Sequence, residues 1–527
     1  MASTVGRIVG PPGTGKTTEI LRLIGAACEK YDPGKIGACS LTKAAVQEMR
    51  HRVFGLSGVD GAVNRNIRTM HSHAFMMLGM QKGRIAETRI KEWNEEHPGS
   101  MINPGPMAKA VSEVEHNGTA APLVNGRTVA EELLVSTTLK RLRMIPQERW
   151  AVREQHFYKK WRRWMDDNLY MDYTGMLEEV LEKSMCPDID ILFVDEAQDM
   201  SPLQCAITRK WSESTNSTIY AGDYQQAIFR FAGASPEVFL DLEHTWPKNL
   251  TKSYRVPKNI LNYAKRIIGC ATDYGQFEYS PRDGDDGELL GRVIYPDLRL
   301  DGSHMLICRY RAQVLAWADI LIEHGIPFKN DYRPTESTWN PCSTKIWGHA
   351  VTYKSLISGR NVSGKDLAAL FGSMRARGNF VNGSKQEAIQ SISQSQKYNL
   401  FNIDSIHGVD QSLSTHSKKM EDIFTSQNSR SSTLLRRVWN NPEKIINPPS
   451  VTLGTIHSVK GGEADNVWIE SRINKGQLKQ IYINDLGRTA VNDEYRIAYV
   501  AATRARRRLG FVESSGLGQF NPFLCMG

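Results

Sequence analysis

Apolar residues along this chain fall into short, β-branched-rich runs that alternate with longer segments of helical periodicity, as in an α/β protein built on parallel sheets. In the first half, Val5 to Val9, Ile36 to Leu41, Asp190 to Val194 and Ser217 to Ala221 read as buried strands. In the second half the same pattern covers Leu289 to Tyr295, His304 to Cys308, Val451 to Ile456 and Asn466 to Glu470. Helices are predicted over Thr18–Ala27, from Thr42 to about Val53, over Ala312–His324 and over Asp493–Arg508, and Ile67 to Phe75 reads as a strand passing into a helix. Twice the pattern breaks. From roughly Met80 to Asp172, charged helix-prone segments are punctuated by Asn103-Pro104-Gly105-Pro106 and Asn117-Gly118, and from about Arg333 to Pro449 the chain is rich in Ser, Asn, Lys and Gln. Both stretches read as insertions. Within the second, Gln390 to Gln396 is expected to be a helix or a loop, and no internal repeat of fixed period is present.

Composition narrows the class. A chain of 527 residues exceeds what one core can hold, so several domains are expected. The hydrophobic share is 40%, and no apolar run approaches the roughly 20 residues needed to cross a bilayer, so no membrane partner is expected. The eight cysteines are scattered without a C-x-x-C pair, which argues against a zinc ribbon, an iron–sulfur cluster or a disulfide framework and fits a reducing cytoplasm. A net charge of +9 favours a polyanionic partner. Lys159-Lys160-Trp161-Arg162-Arg163-Trp164 interleaves cations with aromatics as a strand-binding surface would, and reads equally well as a solvated helix face with its tryptophans packed inward.

The chemistry is concentrated at strand ends. Gly10-Pro11-Pro12-Gly13-Thr14-Gly15-Lys16-Thr17 fits the phosphate-binding pattern G-x-x-x-x-G-K-[ST], between a strand and a helix as the motif requires. The glycines let backbone N–H groups curl toward a phosphate, and the following helix presents its positive end. Gly10 to Thr17, with Thr18, are therefore the expected nucleotide-binding residues, Lys16 reaching the β- and γ-phosphates and the Thr17 hydroxyl ligating Mg²⁺. Asp195-Glu196 ends an apolar strand: Asp195 would hold the ion and Glu196 would orient or deprotonate the attacking water.

Taken in order, these patches resemble the UvrD/Rep/PcrA-like helicases of superfamily 1. Beyond the phosphate loop, Leu41-Thr42-Lys43-Ala44-Ala45, Thr69-Met70-His71-Ser72, Asp195-Glu196-Ala197-Gln198-Asp199, Gly222 through Ala234 and Ser253-Tyr254-Arg255 are similar to successive family motifs. Thr455 through Glu463, and Glu494 through Thr503-Arg504-Ala505, are similar to the last two. The resemblance implies two RecA-like motor domains, parallel sheets flanked by helices, each with a mainly helical insertion. Domain 1A would comprise 1–80 and 173–250 around insertion 81–172, and domain 2A would comprise 251–332 and 450–527 around insertion 333–449. It implies ATP and Mg²⁺ as the nucleotide and ion, with Gln226 sensing the γ-phosphate and Arg255 and Arg504 stabilising charge on the transferring phosphoryl group. Tyr254 would stack on the base and Glu463 would meet the ribose, with Gly461 also among the nucleotide-binding residues. Lys43, Thr69, His71, Arg230, Phe231, Thr455 and His457 would meet single-stranded DNA.

The activity so implied is an ATP-dependent DNA helicase or translocase moving 3′ to 5′ on single-stranded or tailed duplex DNA. The protein would be a monomer or weak oligomer in a bacterial or phage-infected cytoplasm, with a replication or repair partner. The alternatives are a nucleic-acid-stimulated ATPase that strips proteins or acts on RNA, and a nucleotide-gated scaffold. Three departures from the family pattern stand out: no glutamine at the usual distance before Gly10, Ser40 where a stacking aromatic is common, and Ala232 where an arginine is common.

Overall fold

The computed structural model describes residues 4–41, 43–55, 61–103, 128–273, 275, 277–331, 339–414, 418–425, 429–471, 487–512 and 522–524. The chain forms two compact units. The first comprises Met1–Leu289, Arg472–Leu509 and Leu517–Gly527, and the second Leu290–Ser471 and Gly510–Gly516.

The first unit is built on six strands, β1 (Thr4–Val9), β2 (Ile36–Ser40), β3 (Ile67–Thr69), β4 (Ile191–Val194), β5 (Ser217–Gly222) and β6 (Trp246–Asn249), in the order β3-β2-β4-β5-β1-β6. Every pairing is parallel. β2 and β4 are buried at all positions, as a parallel sheet covered on both faces demands. On one face, helix α1 (Lys16–Cys28) buries Ile20, Leu21, Ile24 and Ala27 against Ile8, Ile36 and Phe193. On the other, Met176, Leu177, Leu203, Ile207 and Trp211 close over Leu192, Val194 and Tyr220. Strand order then decides where chemistry can gather. With β5 between β1 and β4, the carboxyl ends of all three lie side by side, and Gly10, Asp195 and Asp223 follow them directly.

The first insertion is helical around an aromatic core of its own: Trp93, Trp150, Phe157, Tyr158, Trp161 and Trp164. Helix α2 (Val152–Asn168) carries four of these on one face. Trp161 and Trp164 are 5.0 Å apart between ring centroids and lie 5.0 and 5.4 Å from Trp93. Lys159, Lys160, Arg162 and Arg163 face solvent. Of the two readings of this segment, the solvated helix face is the one observed, and its tryptophans are core. The Asn103–Pro106 breaker is described only at Asn103, and Asn117-Gly118 lies outside the described residues.

A buried ion network fastens the insertion. Arg141 donates to both Asp172 oxygens at 2.6 and 2.9 Å and to Glu178 at 2.9 and 2.7 Å. Asp172 also accepts from Trp161 Nε1 at 3.1 Å and from the Gly175 N–H at 2.6 Å. The Asp172 carboxyl is buried yet held below its ordinary value, because the Arg141 cation and these donors outweigh desolvation.

Segments 251–289 and 487–509 also pack within the first unit. Helix Lys258–Gly269 and helix α3 (Gly487–Ala502) adjoin, and the buried hydroxyls of Tyr279 and Tyr499 meet at 2.9 Å.

Another six-stranded sheet, most of whose residues belong to the second unit, has the strands β7 (Glu288–Val293), β8 (His304–Cys308), β9 (Phe328–Lys329), β12 (Val451–Thr455), β13 (Ala464–Glu470) and β14 (Ala505–Val512), with β10 (Val362–Ser363) and β11 (Lys397–Tyr398) forming a separate antiparallel pair. The order is β7-β14-β13-β8-β12-β9, and β8 runs parallel to both β12 and β13. The second insertion is mainly helical, and its Trp347, Leu370 and Leu435 join Leu306 and Leu453 in one core. Helix Lys385–Gln390 ends at Gln390, so 391–396 is loop.

The final helix differs from expectation. It spans Gly487–Ala502, and Ala505–Val512 is a strand, not a continuation to Arg508. The triple arginine suits a helix, but the chain must close on β13. A Cβ at Gly510 would lie 2.5 Å from the Trp468 ring, a close approach that fixes the strand.

Candidate nucleotide site and strand-contacting residues

The phosphate loop has the conformation its glycines were expected to permit. Gly13 has φ 72° and Gly15 has φ 85°, both left-handed, and Gly15 begins α1 without a side-chain cap. The first-turn N–H groups of that helix are thereby oriented for an anionic ligand. Thr14 Oγ1 donates to the Pro11 carbonyl at 2.8 Å, and Lys16 Nζ to the Gly10 carbonyl at 2.6 Å, closing the curl. A Cβ at Gly10 would lie 2.6 Å from both Lys16 Cγ and Thr14 Oγ1.

Thr17 Oγ1 donates to Asp195 Oδ2 at 3.2 Å. Two neighbouring oxygen ligands of an octahedral Mg²⁺ stand about 2.9 Å apart, so this pair fits the ion with little adjustment. The electrostatics agree. Asp195 is buried, and its carboxyl is pushed up to about 6, chiefly by burial and then by the Glu196 carboxylate, against the pull of Lys16. Asp223, also buried, is raised by burial despite Lys16 and a hydrogen bond from Gln226. Carboxylates held where ionisation is unfavourable are the donor set that a divalent cation stabilises.

Glu196 follows with φ 55°, left-handed and uncommon for a residue with a side chain, and its N–H donates to Asp195 Oδ1 at 2.9 Å. From the next turn, the buried Gln198 donates through Nε2 to Glu196 Oε2 at 2.5 Å and accepts at Oε1 from the Asp223 N–H at 2.9 Å. Gln226 Nε2 donates to Asp223 Oδ2 at 2.8 Å, and its Oε1 accepts from Arg504 Nη2 at 3.1 Å. Arg504 is buried, with Nε donating to the Val500 carbonyl at 2.9 Å. Ser253 Oγ donates to the Pro12 carbonyl and the Tyr254 N–H to the Gly13 carbonyl, both at 2.8 Å, so Arg255 abuts the loop. Lys16, Asp195, Glu196, Gln226, Arg255 and Arg504 thus share one neighbourhood of the first unit.

Residues 3–247 match the UvrD/REP helicase N-terminal domain, and residues 377–515 match the UvrD-like helicase C-terminal domain. The chain belongs to the UvrD/Rep-like helicase family. It is 26% identical over 278 residues to a probable DNA helicase II homolog of Mycoplasma genitalium, covering 49% of this chain and 39% of that protein. With the ATP-dependent DNA helicase UvrD2 of Mycobacterium tuberculosis it shares 24% over 366 residues, 64% of this chain and 48% of the relative. With the ATP-dependent DNA helicase PcrA of Staphylococcus epidermidis it shares 23% over 287 residues, 50% of this chain and 37% of the relative. The chain therefore spans about half or less of the length of these curated relatives. No helix among the described residues is long and apolar enough to cross a membrane.

The remaining residues expected from the UvrD/Rep-like pattern are more scattered. Tyr254 is 73% exposed beside the loop, and Thr18 is exposed on α1. Gly461, with φ 88°, and Glu463 lie exposed in the second unit. Thr455 and His457 are buried there, Thr455 Oγ1 accepting from the Ser458 N–H at 3.1 Å. Thr69 is an N-cap, its Oγ1 accepting from the Ser72 N–H at 3.2 Å, while buried His71 stands edge-on to Tyr173 with centroids 6.0 Å apart. Phe231 is half-buried and edge-to-face with Phe229 at 6.1 Å. Arg230 is engaged by Glu237 at 2.7 Å and Asp493 at 3.5 Å. The Lys43 side chain lies outside the described residues.

Three residues of the site were not singled out from sequence. Asp223 carried a visible signal, a carboxylate just past a strand end. Gln198 stands between acids in Asp195-Glu196-Ala197-Gln198-Asp199, where an amide has obvious partners. Nothing local marks Ser253, whose partner is 241 residues away.

Proposed function

We propose that this chain is an ATP-dependent DNA helicase or translocase that moves 3′ to 5′ along single-stranded DNA and separates tailed duplexes. The observation that carries the reading is the hydrogen-bonded series Arg504–Gln226–Asp223 beside the phosphate loop. It links a guanidinium suited to the transition-state charge with the amide suited to the γ-phosphate. In this reading the loop N–H groups and Lys16 bind the triphosphate of ATP. Mg²⁺, held by Thr17 and Asp195, would neutralise phosphate charge. Glu196 orients the attacking water and takes its proton, and Arg255 and Arg504 stabilise charge on the transferring group.

The proposal includes two motor lobes, 1–80 with 173–250 and 251–332 with 450–527, carrying insertions at 81–172 and 333–449. Opening and closing of the lobes around nucleotide would alternate the grip on a strand met by Lys43, Thr69, His71, Arg230, Phe231, Thr455 and His457. Work in a bacterial or phage-infected cytoplasm, alone or with a repair or replication partner, belongs to the same reading.

ATP hydrolysis stimulated by single-stranded DNA, and displacement of duplexes bearing 3′ but not 5′ tails, are the expected results. Hydrolysis without strand displacement would favour a translocase that strips proteins, and preference for RNA tails would change the substrate. Absence of stimulated hydrolysis would overturn the reading. Phe231→Ala is expected to impair displacement more than basal hydrolysis, whereas equal losses would make Phe231 a packing residue. DNA affinity should fall steeply with salt, as phosphate contacts require.

A further inference from the structure

Gln198 is completely buried, and a buried amide is tolerated only when its polar atoms are paired. Its Oε1 accepts the Asp223 N–H, which can only donate, so the amide nitrogen must point the other way, toward Glu196 Oε2. A longer contact of 3.4 Å joins the same nitrogen to Asp199. The approach is close enough to constrain the neighbouring strand: a Cβ at Gly222 would lie 2.6 Å from Gln198 Oε1. Glu196 itself sits in a left-handed backbone conformation that few side-chain-bearing residues adopt, so its carboxylate direction is not set by an ordinary strand or helix.

We infer that Gln198 is a positioning residue for the hydrolytic step, clamping the Glu196 carboxylate to the end of β5 so that it faces the attacking water. The inference rests on the function proposed above. Asp223 receives Gln198 at its backbone and Gln226 at its carboxylate, so one residue ties the base to the γ-phosphate sensor. A carboxylate released from this clamp loses orientation while the phosphate loop, whose described hydrogen bonds do not include Gln198, keeps its grip on nucleotide.

Two substitutions open the clamp without adding charge. Gln198→Met keeps the length of the side chain and a weak sulfur acceptor but has no donor for Glu196, and Gln198→Leu removes donor and acceptor alike. The experiment is steady-state ATP hydrolysis with saturating single-stranded DNA, paired with binding of a fluorescent ATP analogue and with the melting temperature of the full chain. For Gln198→Met, kcat is expected to fall about 10- to 100-fold, as for a misoriented catalytic group, with analogue affinity within about twofold. In a Glu196→Gln background, either Gln198 change should lower the residual rate little further, because its effect runs through the carboxylate already removed. A kcat for Gln198→Met within about threefold of wild type would overturn the inference. So would equal losses in the two backgrounds, the result for a residue that only supports the fold. If Gln198→Leu does not fold, Gln198→Met alone carries the test. Wild-type protein that hydrolyses no ATP would instead sink the underlying function, a separate and recognisable outcome.

Discussion

Two buried clusters of the first unit treat charge in opposite ways. Around Arg141 each carboxylate has a cation or a donor facing it, and both partners are driven toward ionisation: Asp172 is held below its ordinary value and Arg141 well above its own, the attraction outweighing burial. Around the phosphate loop, Asp195, Glu196 and Asp223 gather near Lys16, and Asp195 and Asp223 are both pushed up by burial. In the first cluster the buried carboxylate meets its cation within the protein, and so it belongs to the architecture. The second gathers carboxylates whose ionisation burial opposes, the donor set that a divalent cation stabilises. Burial alone does not tell a functional charge from a structural one, whereas the direction in which burial is opposed does.

Breaking each cluster should therefore have different consequences. The largest effect belongs to the proposed base: Glu196→Gln should lower DNA-stimulated ATP hydrolysis by about 10²- to 10⁴-fold while nucleotide binding persists, as hydrolysis and binding assays would show. Arg141→Leu should leave Asp172 buried without its partner and cost about 3–5 kcal/mol in denaturant unfolding, with kcat per folded molecule little changed. A loss under 1 kcal/mol would mean that water replaces the guanidinium.

Asp195→Asn should act in the opposite sense. Its carboxyl is raised to about 6 from 3.8, so at neutral pH the ionised form opposes folding, and stability rises as pH falls through 6 toward 4. The amide should stabilise metal-free protein at pH 7.5 by about 1 kcal/mol, lose that advantage near pH 4, and abolish the Mg²⁺-dependent gain in melting temperature. A variant less stable than wild type at pH 7.5 would contradict this account. Asp172, lowered when folded, works the other way: its contribution is intact above about pH 4 and disappears as pH drops through its folded value. Smallest of all, Arg163→Glu on the solvated face of α2 should change stability by no more than about 0.5 kcal/mol, its only described ion pair being an exposed one with Asp167 at 3.6 Å.

Much of this was legible along the chain because the signals are local. The glycine loop, the acidic strand end and most strand positions lie within windows of ten residues, where periodicity and turn chemistry operate. Trp161 and Trp164 illustrate the boundary: with Phe157 they follow helical spacing and point inward, yet the cations between them mimic a strand-binding surface until the face is assigned. The Arg504 contact with Gln226 joins positions 278 apart, so no local pattern reveals it and only the ordered motifs pointed there. The misread end of α3 has the same origin, for helix propensity at Arg506 to Arg508 gave way to pairing beside Trp468, distant in sequence. The edge strand Trp246–Asn249, largely exposed and containing a proline, offered no apolar run to recognise.

Gly13 has one more lesson. Its missing side chain leaves the space that Arg255 fills, since a Cβ there would stand 2.4 Å from that of the arginine, and the residue's φ is one that alanine resists. A single methyl group is thus a wedge between the anion-gripping turn and its guanidinium neighbour. Fitted at Gly13 it offers the smallest chemical test of the proposed motor, pressing on Arg255 and on Ser253 Oγ, which it would approach to 2.8 Å, while leaving Lys16, Thr17 and the acidic strand end unaltered in composition.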